Sequence, residues 1–231
     1  MSDASWLQSL SKSVFNALPN LQTSSYPTVN VKSSVDGNTY TVRDLPDKQD
    51  AADLLARVRQ RMQKLYNYLI ATYPEKLQVK QLKQNFKPEP SRITESTPDA
   101  EHTSYSVNKG ESVHLCLRQR QGNNESLVKE NVMTFVALHE MSHMITSTIG
   151  HGPDFWNNFG WLLKIAEEQG IYKYEDFSAH PVAYCGVKIT DSPKYDSKKD
   201  AASFVIGDNI RIILRWLVKR TIKEVKIVLN L

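Results

Sequence analysis

The chain has 231 residues and a formal net charge of +4, which suits one compact domain with tails and leaves no room for a second enzyme. Its N-terminus lacks the apolar core of a signal peptide, and it holds no uninterrupted apolar stretch of about eighteen residues, so the sequence predicts a soluble intracellular protein, cytoplasmic or nuclear. The two cysteines, Cys116 and Cys185, indicate neither a disulfide framework nor a second metal site, which favours a reducing compartment.

Residues 1–39 are rich in Ser, Asn, Thr and Pro, which predicts a flexible leader with one short helix near Trp6–Phe15. A long amphipathic helix is predicted from Pro46 to Tyr73, because apolar residues recur there every three or four positions. These residues are Leu54, Leu55, Val58, Met62, Leu65, Leu69 and Ile70. The other face carries basic residues that are predicted to be solvated or to contact nucleic acid. They are Arg57, Arg59, Arg61 and Lys64.

Prolines at positions 74, 88, 90 and 98 make residues 74–100 a connector with at most a short helix around Leu77–Phe86. The apolar period then changes to two, which is typical of a strand. Residues 103–107 and 112–117, joined by Asn108-Lys109-Gly110, therefore predict a β-hairpin. Val113, Leu115 and Leu117 are expected on one face of its second strand.

The run His139-Glu140-Met141-Ser142-His143 has the spacing of a zinc-hydrolase motif. On a helix, His139 and His143 lie on one face and can offer two nitrogens to one metal ion. A catalytic zinc keeps three protein ligands and leaves one position for water, whose acidity it raises. Glu140 is predicted to take a proton from that water and to hand it to the leaving amine. The alternative is two histidines on an ordinary helix without metal.

The third metal ligand is predicted to be His151, in the turn Gly150-His151-Gly152-Pro153. Gly150 is expected to end the metal-binding helix, and Asp154 to cap the next one, which carries Phe155 and Trp156. A loop histidine bonded to the backbone is the alternative interpretation of His151. The histidines without a partner at ligand spacing are not predicted to bind metal; they are His102, His114 and His180.

Tyr184 follows the second active-site helix and is a candidate donor to the oxyanion that forms in peptide hydrolysis, with simple packing as the alternative. Residues 191–231 are predicted to be a linker and a basic amphipathic helix. Residues 187–231 contain ten Lys and Arg against five Asp and Glu. This helix is predicted to dock on the domain, to lie on an anionic membrane surface or to touch DNA in a salt-dependent way.

Together, the His-Glu-x-x-His motif, the Gly150–Pro153 turn and the Phe155-Trp156 pair resemble the WLM and SprT-like (Spartan-type) zinc metallopeptidases. The strings Leu45-Pro46-Asp47-Lys48-Gln49-Asp50-Ala51-Ala52 and Tyr184-Cys185-Gly186 resemble WLM-type proteins of large DNA viruses, which would place the chain in a virus-infected cell. The resemblance implies a WLM/SprT-like domain over residues 40–190. It also implies that His139, His143 and His151 bind Zn²⁺, that Glu140 is the acid/base, and that proteins bound or crosslinked to DNA are the substrates.

Two features depart from these families. Seven residues separate His143 from His151, more than is usual in WLM proteins and fewer than in Spartan-type ones. With only two cysteines, the chain lacks the C-terminal zinc ribbon of the Spartan type. A Val225-Lys226-Ile227-Val228 run is similar to the hydrophobic core of a SUMO-interacting motif, although an apolar helix end explains it better.

The sequence therefore predicts an α+β, zincin-like metallopeptidase domain with a small, mostly antiparallel sheet, a long supporting helix and an HExxH helix below the substrate cleft. The predicted function is zinc-dependent endoproteolysis of protein substrates, with residues 112–118 as an edge strand that pairs with extended peptide. Two alternatives stay open. One is a non-catalytic DNA- or protein-binding module with a structural metal, and the other is a zinc hydrolase acting on other amides or ubiquitin-like conjugates. The oligomeric state is not predicted.

Overall fold

The structure is a computed structural model that describes residues 26–120 and 125–198. Four helices and three small sheets make up this part of the chain, which confirms the predicted mixed α+β class. The helices are α1 (Lys48–Thr72), α2 (Leu77–Asn85), α3 (Glu130–Ile145) and α4 (Pro153–Glu168), with a short 3₁₀ turn at Pro90–Arg92. The strands are β1 (Thr28–Lys32), β2 (Thr39–Arg43), β3 (Ile93–Glu95), β4 (Tyr105–Val107), β5 (Ser112–Leu115), β6 (Val182–Tyr184) and β7 (Val187–Ile189).

The long helix α1 forms close to the predicted bounds, because its apolar stripe packs along a continuous hydrophobic core. Residues such as Leu55, Leu65 and Leu69 are fully buried along it. Its basic residues, however, are not a free solvated face. Arg59 donates to the hydroxyl of Tyr40 and the carbonyl of Pro88, and Arg61 donates to the carbonyl of Ile171. These contacts hold neighbouring segments onto α1, so the prediction of a solvated or nucleic-acid-binding face is wrong for these two residues.

Residues 28–39 differ from the predicted flexible leader. Strand β1 pairs antiparallel with β2, with Val31 opposite Tyr40, and the side chain of Tyr40 is fully buried. The leader interpretation is therefore wrong for this part, because pairing with β2 gives the Ser-rich segment a partner that its composition does not reveal. Residues 1–25, including the predicted helix near Trp6–Phe15, lie outside the described residues.

The predicted hairpin forms as β4 and β5, and a third strand joins it. Strand β3, three residues long, lies in the predicted connector and pairs parallel with β5, which gives the strand order β3-β5-β4. Because β5 is flanked on both sides, residues 112–115 are not a free edge, and the substrate-pairing role predicted for 112–118 is wrong. The edge strands of this sheet are β3 and β4.

The expected single, mostly antiparallel sheet is three small ones in the described residues, and the β3–β5 pair alone is parallel among the strand pairs there. Short strands of this kind depend on tertiary packing for their stability. The small sheets therefore pack against the helices and do not form a separate hydrophobic core.

Helix α3 passes through the centre of the domain. It packs on α1, α2 and α4 and on strands β4 and β5, and it is buried on nearly all sides. A helix that is apolar all round in a water-soluble domain belongs in the core. This position fixes the direction in which its few polar side chains can point.

A buried ion cluster joins the beginning of α1 to the small sheets. The guanidinium of Arg118 donates to Glu95 at 2.9 Å and to Asp47 at 2.5 Å, and the side chains of Arg118 and Glu95 are both almost fully buried. Glu95 also accepts the backbone N–H of Arg43 at 2.7 Å. Burial raises the pKa of Glu95, while these donors oppose the shift.

Cys116 and Cys185 form a disulfide in the structure, which contradicts the prediction that they indicate no disulfide and removes the argument drawn from them for a reducing compartment. They lie 69 positions apart in sequence, and spacing alone gave no indication of the pairing. Cys185 and Gly186 form the tight turn between β6 and β7, each with a positive φ, as the hairpin turns that match strand twist require. The disulfide thereby fastens the β6–β7 hairpin to the segment that follows β5.

No helix in the described ranges is long and apolar enough to cross a membrane. The predicted basic C-terminal helix from Ile210 and the Val225–Val228 run lie outside the described residues.

Arg118→Met is expected to lower the free energy of unfolding by about 3–5 kcal/mol, because it leaves Glu95 buried without its cation. Urea denaturation measures this change. Lys48→Met, which breaks the exposed Lys48–Asp44 pair, is the control and should cost less than about 1 kcal/mol. Equal losses of unfolding free energy in the two variants would show that the buried Arg118 cluster stabilises the fold no more than an exposed ion pair does.

Cys185→Ser is expected to lower the free energy of unfolding by about 2–4 kcal/mol, because it removes a crosslink across a long loop. Thermal denaturation with and without reductant measures the effect. Reductant should destabilise the parent and leave the variant unchanged. A parent that is insensitive to reductant, with two free thiols by mass, would contradict the pairing.

Candidate metal centre

Three histidine side chains converge in the described part of the chain. Nε2 of His139 lies 3.3 Å from Nε2 of His143 and 3.1 Å from Nε2 of His151. Each ring offers one nitrogen, and the three nitrogens lie within 4.8 Å of one another. The structure thus brings together the three residues that the sequence singled out as ligands.

The spacing of these nitrogens fits a zinc ion. Zn–N bonds of about 2.0–2.1 Å at tetrahedral angles separate two ligand nitrogens by about 3.3–3.4 Å. The distances of 3.3 and 3.1 Å are close to this value. Three imidazoles are also a donor set that zinc prefers, and they leave one position of a tetrahedron open.

Local structure explains why the three rings meet. His139 and His143 lie one turn apart on α3, so they share a face. Helix α3 ends at Ile145, however, and not at Gly150 as predicted. Gly150 does have a left-handed φ of +84°, but it lies within the loop that carries His151.

Helix α4 also begins differently from the prediction. Gly152 is its N-cap and Pro153 its first residue, so the prediction of Asp154 as the cap is wrong. Proline is pre-organised for the first position of a helix, where its missing N–H costs nothing. Asp154 instead lies in the first turn, where a carboxylate interacts favourably with the helix dipole.

Phe155 supports all three imidazoles from the first turn of α4. Its ring is fully buried, and its centroid lies 4.9 Å from that of His139, 4.4 Å from that of His143 and 4.7 Å from that of His151. The ring centroid of Trp156 lies 6.1 Å from that of His151, and the two rings are tilted relative to each other. Phe155 and Trp156, the aromatic pair noted in the sequence, therefore pack against the histidine rings.

The environment keeps the two helical imidazoles neutral. Burial, together with the neighbouring imidazoles, lowers the pKa of His139 to about 3, and burial lowers the pKa of His143 to about 4. A metal binds the neutral form of histidine. At neutral pH these two rings therefore have no proton to lose before they bind a cation.

Glu140 lies beside the histidines on α3 and is buried. Burial raises the pKa of its carboxyl group to about 7, although the hydroxyl and the backbone N–H of Ser106 donate to it and oppose this shift. The partner, Ser106, belongs to the edge strand β4. Glu140 is consequently held in a fixed position with both protonation states accessible near neutral pH.

The histidines and Glu140 open into a cleft of about 670 Å³. One wall is the segment 101–106, which leads into β4, and the other is the loop 148–151. Lys109, in the turn after β4, closes one end. Ser106 and Lys109 are functional neighbours that sequence reasoning missed, and the predicted hairpin turn was the available signal for Lys109.

Tyr184 does not line this cleft. It is buried, and its hydroxyl lies 2.6 Å from Oγ of Ser104, which in turn accepts the backbone N–H of Cys116 at 2.8 Å. Burial raises the pKa of this phenol. The position supports the packing alternative and argues against the predicted role of Tyr184 as an oxyanion donor.

The other histidines stay apart from the cluster. His114 lies on β5, bonded to Thr94 and Ser112 and stacked on Tyr105, as an ordinary half-buried residue. His102 lines the cleft, and His180 lies in an exposed turn. Neither joins the cluster of metal-ligating groups in the described residues.

Comparison with known proteins gives matches to one family. The model of the WLM domain matches residues 34–204, a range wider at both ends than the predicted 40–190. An uncharacterised protein of Acanthamoeba polyphaga mimivirus is 32% identical over 163 residues, which cover 70% of this chain and 82% of that protein. An uncharacterised protein of Invertebrate iridescent virus 6 is 30% identical over 69 residues, which cover 30% of this chain and 38% of that protein.

Among solved structures, Wss1 from Saccharomyces cerevisiae is similar to 56% of this chain over 88% of its own length, with 22% identity and a TM-score of 0.40. The family model alone covers well over half of the sequence, and the mimivirus protein matches over most of its length. The chain belongs to the WLM domain family.

Proposed function

We propose that this protein is a zinc-dependent endopeptidase in which His139, His143 and His151 bind the metal and Glu140 is the general base and acid. The observation that carries this proposal is the meeting of three imidazole nitrogens at zinc-ligand spacing beside a buried carboxyl group, at the head of an open cleft. A structural zinc site is usually closed by a fourth protein ligand. The described residues supply three, which favours a catalytic site.

When bound, zinc supplies a Lewis acid that polarises the peptide carbonyl and makes a water molecule more acidic. The chain supplies the proton transfers. The carboxylate of Glu140 takes a proton from the attacking water and later donates it to the amine that leaves. The hydroxyl and N–H of Ser106 hold this carboxylate in place, and burial keeps its pKa near 7, so that it can act in both directions.

Substrate binding is proposed for the edge strand β4. Tyr105 and Ser106 line the cleft, and β4 pairs on one side with β5 in the described sheet. The other side can accept an extended peptide through backbone hydrogen bonds. Such pairing gives affinity with little dependence on sequence, which suits an endopeptidase of broad specificity.

Proteins held on DNA are the proposed substrate class. Support comes from a basic surface near the cleft: α2 and the residues after it carry Lys80, Lys83 and Lys87, all exposed. The same helix reaches the end of α3, since Gln81 donates to Oγ of Ser147 at 2.6 Å. Lysines in this position would attract the phosphate backbone and make binding dependent on salt.

Glu140→Gln is expected to keep its zinc and to lose cleavage by a factor of about 10² to 10⁴, because the amide cannot take the proton from water. Cleavage of a DNA-bound protein, measured beside the same protein without DNA and with a chelator, tests activity and substrate class together. Glu167→Gln, at an exposed glutamate of α4 that does not line the cleft, is the matched control and should keep activity. A Glu140→Gln variant as active as the parent would contradict the proposed mechanism.

Zinc is expected to raise the melting midpoint of the parent, because a ligand that binds only the folded state adds about 2.7 kcal/mol at a hundredfold excess over its dissociation constant. His151→Ala should lose most of this increase, since it removes one of three ligands. His180→Ala, at an exposed histidine outside the cluster, should retain it. Differential scanning calorimetry with zinc or with chelator gives the comparison without any activity assay. Equal zinc responses in the two variants would exclude His151 as a ligand.

A further inference from the structure

The turn between β4 and β5 has an unusual backbone. Asn108, Lys109 and Gly110 follow one another with φ values of +45°, +57° and +120°. Asparagine and glycine tolerate this region, whereas for lysine the left-handed conformation costs about 1–2 kcal/mol. Asn108 is also stabilised locally, since its side chain donates to Glu111 at 2.7 Å. Lys109 must be held by contacts outside the turn.

Those contacts are at the end of the metal-binding helix. Nζ of Lys109 donates to the carbonyl of Thr146 at 2.8 Å and to that of Ser147 at 2.7 Å, immediately after the last residue of α3. Carbonyls at a helix C-terminus are left without helical partners and carry partial negative charge. An ammonium group is therefore stabilised there by hydrogen bonds and by the helix dipole.

The turn lies directly against α3. A Cβ on Gly110 would come within 2.8 Å of the carbonyl oxygen of Asn85 and 2.9 Å of Sδ of Met144. Asn85 itself donates to the carbonyl of Met144 at 2.7 Å. The β4–β5 turn, the end of α2 and the last turn of α3 are thus packed together.

The loop that this contact anchors is otherwise little supported. Residues 147–151 are all exposed, and Ile149 is 95% exposed. A Cβ on Gly150 would meet nothing within 4 Å. His151, at the end of this stretch, nevertheless has to reach the rings of His139 and His143. The beginning of the loop is fixed by Lys109, by Gln81 and by Asn158, which donates to Oγ1 of Thr146.

We propose that Lys109 is a positioning residue of the metal centre. Its ammonium fastens the beginning of the His151 loop to the same turn that ends β4, the strand whose Ser106 holds Glu140. One side chain thus sets the distance between the third ligand and the strand that carries the partner of the general base. The inference rests on the proposed function, since it assumes that the three histidines bind zinc.

The test compares Lys109→Met with Lys87→Met. Methionine keeps a straight side chain and the same backbone strain, but it removes the ammonium group. Lys87 is a matched control, because its Nζ also donates to a carbonyl near a helix C-terminus, that of Gln84 at 2.9 Å, and it does not line the cleft. Zinc affinity is measured by competition with a chromophoric chelator, and the stability of the metal-free proteins by thermal denaturation.

Lys109→Met is expected to bind zinc about tenfold more weakly, as is usual when a group that orients a ligand is lost. Its metal-free melting midpoint should fall further than that of Lys87→Met, because two hydrogen bonds at a strained turn are lost instead of one exposed one, and zinc affinity is therefore compared at a temperature where both metal-free variants are folded. Hydrogen exchange of residues 147–151 should become faster in the metal-free form. Lys109→Arg keeps the charge and the donors, and should bind zinc within about twofold of the parent.

Unchanged zinc affinity in Lys109→Met would overturn the proposal, and so would an Arg variant as weak as the Met variant. If Lys109→Met fails to fold, Lys109→Asn replaces it, since asparagine tolerates the left-handed backbone and has neither the charge nor the length of lysine, and an affinity equal to that of the parent again counts against the proposal. A parent protein that binds no zinc would refute the proposed function itself, and this result is distinct from every outcome with the Lys109 variants.

Discussion

Three imidazoles meet in one place in the domain, with Nε2 of His139 3.3 Å from that of His143 and 3.1 Å from that of His151, beside the buried ring of Phe155. Such a cluster is unfavourable for protonated histidines, because three positive charges would repel one another in a partly apolar site. Burial removes that difficulty by keeping His139 and His143 uncharged. The same burial raises the pKa of Glu140, so one physical cause shifts the pKa of the two helical histidines and that of the carboxyl group.

The rest of the fold serves to hold this corner in place. Helix α3 supplies His139, His143 and the carboxyl group of Glu140 from the most buried element of the domain, whereas His151 comes from an exposed loop. The β4–β5 hairpin links the two, because Ser106 contacts Glu140 and Lys109 contacts the carbonyls that open the His151 loop. Ser106, Lys109 and Glu140 all line the cleft of about 670 Å³.

A second set of contacts stabilises the side of the sheet away from the loop. The Arg118 cluster joins β3 to the beginning of α1, and the Cys116–Cys185 disulfide joins the chain after β5 to the β6–β7 hairpin. Tyr184, next to Cys185 in the chain, bonds through its hydroxyl to Ser104 of the cleft wall. Tyr184, which the sequence suggested as catalytic, and the two cysteines thus support the cleft wall.

The sequence alone predicted the elements whose information is local. The period of apolar residues gave α1, α2 and the β4–β5 hairpin, and the spacing of His139 and His143 placed both on one helical face, since i and i+4 positions coincide on any α-helix. Only the tertiary structure decided which strands are the edges, that Cys116 meets Cys185, that the hydroxyl of Tyr184 bonds to Ser104, and that Arg59 and Arg61 bond to neighbouring segments. These features depend on contacts between residues far apart in the chain. Such contacts leave no periodic pattern in the sequence around each residue, so local sequence does not reveal them.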